Sequence, residues 1–421
     1  MNKRIAGFAV IILLCVWAYF VFFKKNPNIV VGKNSDMVVI ADVKKLRNYY
    51  MLQLMSNPAE WFSEKRKNQN IRKIKIENSG FVIPDYLAIY HLKNAPISQW
   101  YSILEIRDIQ KVERFLQQEK FNKKSASFYQ NDFFSVFIHR NKAFFVSGKQ
   151  NTSEITNPGT KSFANEDQLT TSSAKNYIHN SQASLTFLTS QKQQTFPITI
   201  TNNSIKIGTL QNDFSFLQLL TNLRSSEHSF QLHLNDDGIN KIEDFNDIFR
   251  NTAIFDSLSV QKISAVADLR EVKEKIVSFE YDENFNEIEK TAYQNTLTPM
   301  YRLDIDVEDP QKTLRYFQKH HWMNEEDEFV KIPFQPNKVT VKNTTISIQS
   351  KTSNTKWKDF NGSENFVYFR NDKRLVNSFS SLSEGQRKWL SQFDSCLLVI
   401  NGNEPYFYIQ FKNAELPIIL R

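Results

Sequence analysis

Glycine, proline and cysteine are all scarce in this chain: ten, twelve and two among 421 residues. So little glycine argues against collagen-like and glycine-rich solenoid classes. It also removes the loops that cradle phosphates: "SGKQ" (147–150) lacks both the earlier glycine and the Ser/Thr after lysine that a phosphate loop needs. No Gly-x-Ser-x-Gly elbow, His-Glu-x-x-His or Cys-x-x-Cys occurs. One cysteine, Cys15, lies in an apolar run, which leaves Cys396 alone and no internal disulfide for the remainder. Cys396 sits in "SCLLVI", where a buried strand residue is a simpler reading than a nucleophile.

What is present is apolar and aromatic. Hydrophobic residues make up 41% of the chain and aromatics 13%, with 35 Phe, enough to build a core and exclude wholesale disorder. The length suits about two to three domains. The first residues read "MNKRIAGFAVIILLCVWAYFVFFKK", with neither charge nor proline from Ile5 to Phe23. At about 1.5 Å per residue that run approaches the thickness of a bilayer's hydrocarbon core. Trp17 and Tyr19 stand near its outer end, as interfacial rings do. A cleaved signal peptide is the alternative, but the run is long and no small-x-small site precedes Lys24. The expectation is an uncleaved transmembrane helix over 5–23. Basic residues on both flanks leave the orientation undecided by charge. Because long following domains translocate largely regardless of charge, the bulk of the chain is expected outside, in the periplasm.

The net charge of +8 is concentrated. Residues 1–75 hold fourteen Lys/Arg against four Asp/Glu, and the remainder holds 39 against 41. The excess lies in "VKKLRNYY" and "EKRKNQNIRKIK", so Lys44, Lys45, Arg47, Lys65, Arg66, Lys67, Arg72 and Lys73 are candidate contacts for anionic lipid. A solvated helix face explains the same pattern. Nucleic acid is a poor fit, since no basic face with interleaved aromatics and no known module is present.

Periodicity gives an α+β pattern. Strands are expected over 36–43, 86–92 and 100–106, and a hairpin over 131–148 turning at Arg140-Asn141-Lys142. Further strands follow over 184–189 and 229–235, with hairpins over 196–210, 262–282 and the closing "CLLVINGNEPYFYIQFKN". Residues 149–183 are rich in Ser, Thr and Asn, with Asn-Pro-Gly at their centre, and read as a polar linker or surface excursion. "LEIRDIQKVERFLQQE" (104–119) and "LDIDVEDPQKTLRYFQKH" (303–320) echo each other. Aligned on Asp108 and Asp309 as helix caps, Gln110, Lys111, Arg114 and Gln117 match Gln311, Lys312, Arg315 and Gln318. Matching Leu104 and Ile106 to Leu303 and Ile305 then requires two extra residues in the second strand. The expected domains are an anchor (1–25), a first α+β unit (26–150), the polar linker (151–183) and a larger second unit (184–421). That second unit carries the repeat of 100–119 at 301–320. The expected fold class is therefore an N-terminal transmembrane helix followed by two related units of mostly antiparallel sheet with packed helices.

Three constellations invite a chemical reading. His320 and His321 lie near Glu325, Glu326, Asp327 and Glu328, but adjacent helical residues point about 100° apart, so a solvated helix end is simpler. Asp282, Asn284 and Asn286 begin like a calcium loop that fails at Glu287, where glycine must turn, and at Tyr293, where an acid must close it. Asp304, Asp306 and Glu308 share one face of a strand, which a strand with one wet face also produces. No catalytic, cofactor-binding or metal-binding residue is assigned, and no cofactor is expected.

"DMVVIADVKKL" and the paired strand–helix units resemble uncharacterised single-span bacterial envelope proteins with a duplicated α+β ectodomain. The resemblance implies no activity. The functional expectation is a membrane-anchored, non-enzymatic envelope protein that binds or scaffolds a partner near the membrane. The alternatives are a membrane-anchored hydrolase with an unrecognised site and a cytoplasm-facing membrane adaptor.

Overall fold

The computed structural model describes residues 28–56, 76–149 except 94, 169–188, 193–210 except 202, and 213–244. It further describes 259–332 except 282–284 and 286, 337–350, 364–372, 390–412 except 402 and 403, and the single residues 374, 384 and 387. The chain divides into two compact units, Met1–Ile200 and Thr201–Arg421.

In the first unit a short ribbon joins β1 (Asn28–Gly32) to β9 (Leu169–Ser173). The main sheet contains β2 (Ser35–Asp42), β3 (Tyr86–Leu92), β4 (Trp100–Glu105), β7 (Phe134–His139), β8 (Lys142–Ser147), β10 (Ala183–Leu188) and β11 (Gln193–Ile200). Its order is β7-β8-β4-β3-β2-β10-β11, antiparallel throughout. Helix α1 (Val43–Ser56) follows β2, with Asp42 capping it through the Lys45 N–H at 3.0 Å. Helix α2 (Ile109–Gln118) follows β4.

The second unit repeats this order with its own strands: β13 (Phe230–Asn235), β14 (Val260–Tyr281), β15 (Glu287–Val307), β17 (Asn337–Lys342), β18 (Thr345–Ser350), β19 (Asn365–Arg370) and β20 (Phe393–Asn401). They lie β17-β18-β15-β14-β13-β19-β20, again antiparallel, extended by β21 (Glu404–Phe411) and β12 (Ser204–Ile207). Helix α3 (Asp213–Ser225) precedes β13, α4 (Asp236–Asp244) follows it, and α5 (Pro310–Lys319) follows β15.

The echoing segments fold alike in detail. Asp108 accepts the Lys111 N–H at 3.2 Å and Asp309 the Lys312 N–H at 3.0 Å. Arg114 and Arg315 each reach back to the carbonyl of Gln110 or Gln311. Both helices end in a left-handed residue, Lys120 and His321, after which Phe121 and Trp322 donate to the Leu116 and Phe317 carbonyls. That is a Schellman closure, and it satisfies carbonyls the helix end would leave orphaned. The capped helices then seat Val112 and Leu116, or Thr313 and Phe317, against the sheet. Burying such side chains stabilises by about 1.5–3 kcal/mol for each large apolar one. Gly80, at φ +88, accepts the Arg107 and Asp108 N–H groups ahead of the first cap; a Cβ there would stand 2.3 Å from the Asp108 carbonyl oxygen.

Several expectations are corrected. The transmembrane helix expected over 5–23 lies outside the described residues, and among those described no helix is long and apolar enough to cross a membrane. The longest, α1, has 14 residues, about 21 Å at helical rise, against about 30 Å of hydrocarbon. It also opens with Lys44, Lys45 and Arg47. The fold class is therefore mostly antiparallel sheet with short packed helices and no spanning helix among the described residues. The single-pass, membrane and periplasmic placements are withdrawn with it. The hairpin expected over 262–282 does not form: β14 runs straight through 262–281, because "REVKEK" offers no Gly, Pro or Asn for a turn. The two extra residues in the second repeat also disappear. Glu105 pairs with Lys142, and Asp306 with Thr345, at the head of equivalent hairpins; Ile106 and Val307 donate to the turn carbonyls of Asn141 and Thr344. Ile106 thus corresponds to Val307, at the same offset as the caps.

Candidate functional site

The acidic face of β15 turns out to be a hydrogen-bonded row. His233, Ser264, Asp304 and Ser347 are successive register partners across β13, β14, β15 and β18 and share one face. His233 Nδ1 lies 3.0 Å from Ser264 Oγ, and Asp304 accepts from Ser347 Oγ at 2.5 Å and from both arms of Arg302 at 2.9 Å. Asp306 accepts from Thr345 Oγ1 at 2.5 Å. Sequence inspection missed the His233–Ser264 pair, since nothing local reveals the register of β13 on β14.

Serine, histidine and aspartate in one row suggest a hydrolase, but their roles do not match one. Asp304 is held by Ser347 and Arg302 and does not orient His233. Ser264 sits mid-strand between β13 and β15, where the ladder uses the main-chain donors an oxyanion would need. Burial, and next the Lys262 charge, push the His233 imidazole below its ordinary pKa and favour its neutral form. The row is a polar seam of the sheet.

The other constellations dissolve likewise. His320 packs on Tyr316, with ring centroids 4.1 Å apart and planes tilted by 37°, while His321 is the left-handed residue closing α5. The calcium-loop residues Asp282, Asn284 and Asn286 lie outside the described residues. Among the described residues no group of His, Cys, Asp and Glu is placed to hold a metal ion. Burial pushes the Cys396 thiol up, against nucleophilic use. Of the basic cluster, Lys44 pairs with Asp85 at 3.5 Å, Lys45 donates to the Ser181 carbonyl at 3.4 Å, and Arg47 is exposed. Lys65, Arg66, Lys67, Arg72 and Lys73 lie outside the described residues.

What stands out is the ribbon made by the far parts of β14 and β15. β14 leaves β13 after Ala267, and β15 gains β18 only from Arg302, yet the two pair with each other out to Tyr281 and Glu287. From Leu269–Pro299 to Tyr281–Glu287 no third strand joins either edge among the described residues. At about 3.4 Å per residue this ribbon is about 40 Å long. Opposed residues in an antiparallel pair share a face. One face therefore presents Phe279, Val277 and, diagonally, Tyr293; the other presents Ile276 and Ile288. All five are exposed, Phe279 at 60% and Tyr293 at 71%. At the tip Phe285 is 85% exposed, in a left-handed conformation (φ +61) that is uncommon for a bulky residue.

No protein-family model matches the chain. No curated protein matches it either. Among solved structures, the crystal form I structure of TP0453 aligns with 76% of this chain and 89% of its own, at 9% identity and a TM-score of 0.20. A similarity of that size identifies neither a fold nor a family. These comparisons do not confirm the resemblance to an envelope-protein family.

Proposed function

We propose that this protein is a non-enzymatic binding or scaffolding protein that engages a polypeptide partner through its β14–β15 ribbon. The observation that carries the reading is the exposure of apolar side chains on both faces of an unsupported two-stranded ribbon. An isolated hairpin is marginally stable in water, and open strand edges invite pairing by another chain. Aromatic side chains held far into solvent are costly for a monomer and are enriched where proteins meet. The hydrolase alternative receives no comparable support, because the Ser264–His233 pair is locked into the sheet.

The test places a photo-crosslinking residue at Phe279 or Phe285 in the full chain, expressed in its own cells. Discrete, position-dependent protein adducts are expected from both sites. A control at Ile109, exposed on α2, is expected to give none. Ribbon positions that yield no more adduct than Ile109 at equal expression would sink the proposal.

A further inference from the structure

The two faces of the ribbon differ in charge where their apolar side chains stand. On one face Phe279 lies directly across from Glu289, and Glu287 follows two residues along the same strand. Val277 continues that face inward, with Tyr293 diagonal to it. All five side chains are exposed. On the other face Ile276 and Ile288 stand with Glu280 and Lys290, which pair with each other, so the charges at this end are matched. The first face carries two carboxylates beside its aromatic rings.

Lysines share the carboxylate face, but further in. Lys275 is across from Tyr293, with Lys273 beyond it, and Lys275 stands four residues from the Phe279–Glu289 rung. At about 3.4 Å per residue that is about 14 Å, beyond the roughly 8 Å over which physiological salt screens exposed charges. From Phe279 to Lys290 the sequence has five acidic residues and one basic, a net of −4 in a chain of net +8.

Chemistry then selects the occupant. Nucleic acid and an anionic lipid surface would both be repelled by this end. A neutral apolar partner would cover Glu287 and Glu289 without compensating their lost water. A lysine or arginine side chain suits both features at once: its methylene stem lies along the Phe279 ring while its charged head reaches Glu289. The face of an aromatic ring adds its own attraction for a cation.

We infer that the outer end of the Phe279–Glu289 face docks a basic polypeptide segment, whose lysine or arginine side chains lie over Phe279 and Tyr293 and pair with Glu289 and Glu287. This inference rests on the ribbon being a binding element and names the charge of its partner. Attraction of this kind sets partner choice and encounter rate, and it weakens with salt.

The experiment is fluorescence anisotropy of a short labelled peptide repeating Lys-Ser-Leu, titrated with the purified full chain. Mild non-ionic detergent is included because of the apolar run at 5–23. A counterpart repeating Glu-Ser-Leu is the control. The chain as a whole is positive, so general attraction favours the glutamate peptide, and a preference for lysine isolates the acidic end. The lysine peptide is expected to bind about tenfold tighter or more, and to weaken as salt rises. Glu287→Lys with Glu289→Lys should abolish that preference, and Glu287→Gln with Glu289→Gln, gentler on the fold, should reduce it. Phe279→Ser should weaken the lysine peptide too, whereas Lys273→Gln with Lys275→Gln should leave it bound. All substituted sites are exposed, and unchanged circular dichroism checks the fold. Equal binding of the two peptides, or a lysine preference that survives the Glu287 and Glu289 changes or ignores Phe279→Ser, overturns the basic partner. If that happens while crosslinkers at Phe279 and Phe285 still capture a protein in cells, the ribbon remains a binding element and only the charge of its partner was misassigned. If those sites capture nothing, both readings fall.

Discussion

The two units close the same strand pair in opposite ways. In the first, β3 and β4 end at the His91–Trp100 rung, and residues 92–99 return the chain at once. In the second, the equivalent rung is Ala267–Tyr301, and β14 and β15 continue beyond it as the ribbon, out to the Tyr281–Glu287 rung. The short connection is tied down. His91, buried, sets Nδ1 2.7 Å from Asp36 and Nε2 3.0 Å from the Pro96 carbonyl, while Ala95 and Gln99 donate to the Leu92 and Pro96 carbonyls. The long one is exposed on both faces. Two copies of one scaffold therefore agree where packing decides, in caps, Schellman closures and strand order. They differ at a connection that packing does not constrain, which is where a binding element can grow at little cost to the sheet.

The comparison is most sharply tested in the helices that the copies share. Leu116 and Phe317 occupy equivalent seats, but Phe317 is ringed by Trp322 and Phe329 with centroids 5.3 Å away in each case. Leu116 packs instead against Tyr129, Val136 and Ala143. Phe317→Ala is expected to cost about 4 kcal/mol and Leu116→Ala about 3 kcal/mol, as core truncations of those sizes do. Urea unfolding of each variant measures both. Equal and small losses would show that the two helices are not core elements of equivalent units.

Much of this scaffold is legible in the sequence, and the reasons are local. Asp108 and Asp309 announce their helices because a cap needs only its own side chain and the next three residues. The hairpin turning at Arg140 shows in the same way. The register of β15 did not show: the "LEI" and "LDI" triplets invite an alignment two residues off, and only the pairing with β18 corrects it. Helix α3 escaped notice although Phe216, Leu219, Leu220 and Leu223 repeat at helical spacing and are all buried. The ribbon was the hardest to see. A strand exposed on both faces has no buried side to impose alternation, so "REVKEKIVSFEY" reads as polar chain with a turn in it.

A smaller effect is expected from the tie on the short connection. Asp36→Ala removes the acceptor from a buried imidazole, which costs about 1–3 kcal/mol where such a group is left unmatched. Loosening should be local: the Ala95 and Gln99 amides should exchange faster, while those of the ribbon keep their rates. Hydrogen exchange read by mass spectrometry separates the two segments. Uniform acceleration through both would mean that Asp36 supports the whole sheet and has no special part in closing the first connection.

The smallest effect distinguishes the copies by charge. Glu113 on α2 accepts the Tyr129 hydroxyl at 2.5 Å and the Lys123 ammonium at 3.0 Å. The hydroxyl first, and the ammonium next, hold its carboxyl below the usual carboxylate range. The equivalent position in the second copy is Leu314, which has no proton to exchange. A carboxyl whose folded pKa lies below its unfolded value, about 4.3 for glutamate, binds its proton more readily in the unfolded chain. Its contribution is therefore present at neutral pH and is lost as pH falls through the folded value. Glu113→Gln should lower the urea midpoint slightly near pH 7, and the gap to the native chain should narrow steadily below about pH 5. Parallel midpoint curves down to pH 3 would mean that the Tyr129–Glu113–Lys123 contact adds nothing to the fold, leaving α2 and α5 distinguished only by what their apolar faces bury.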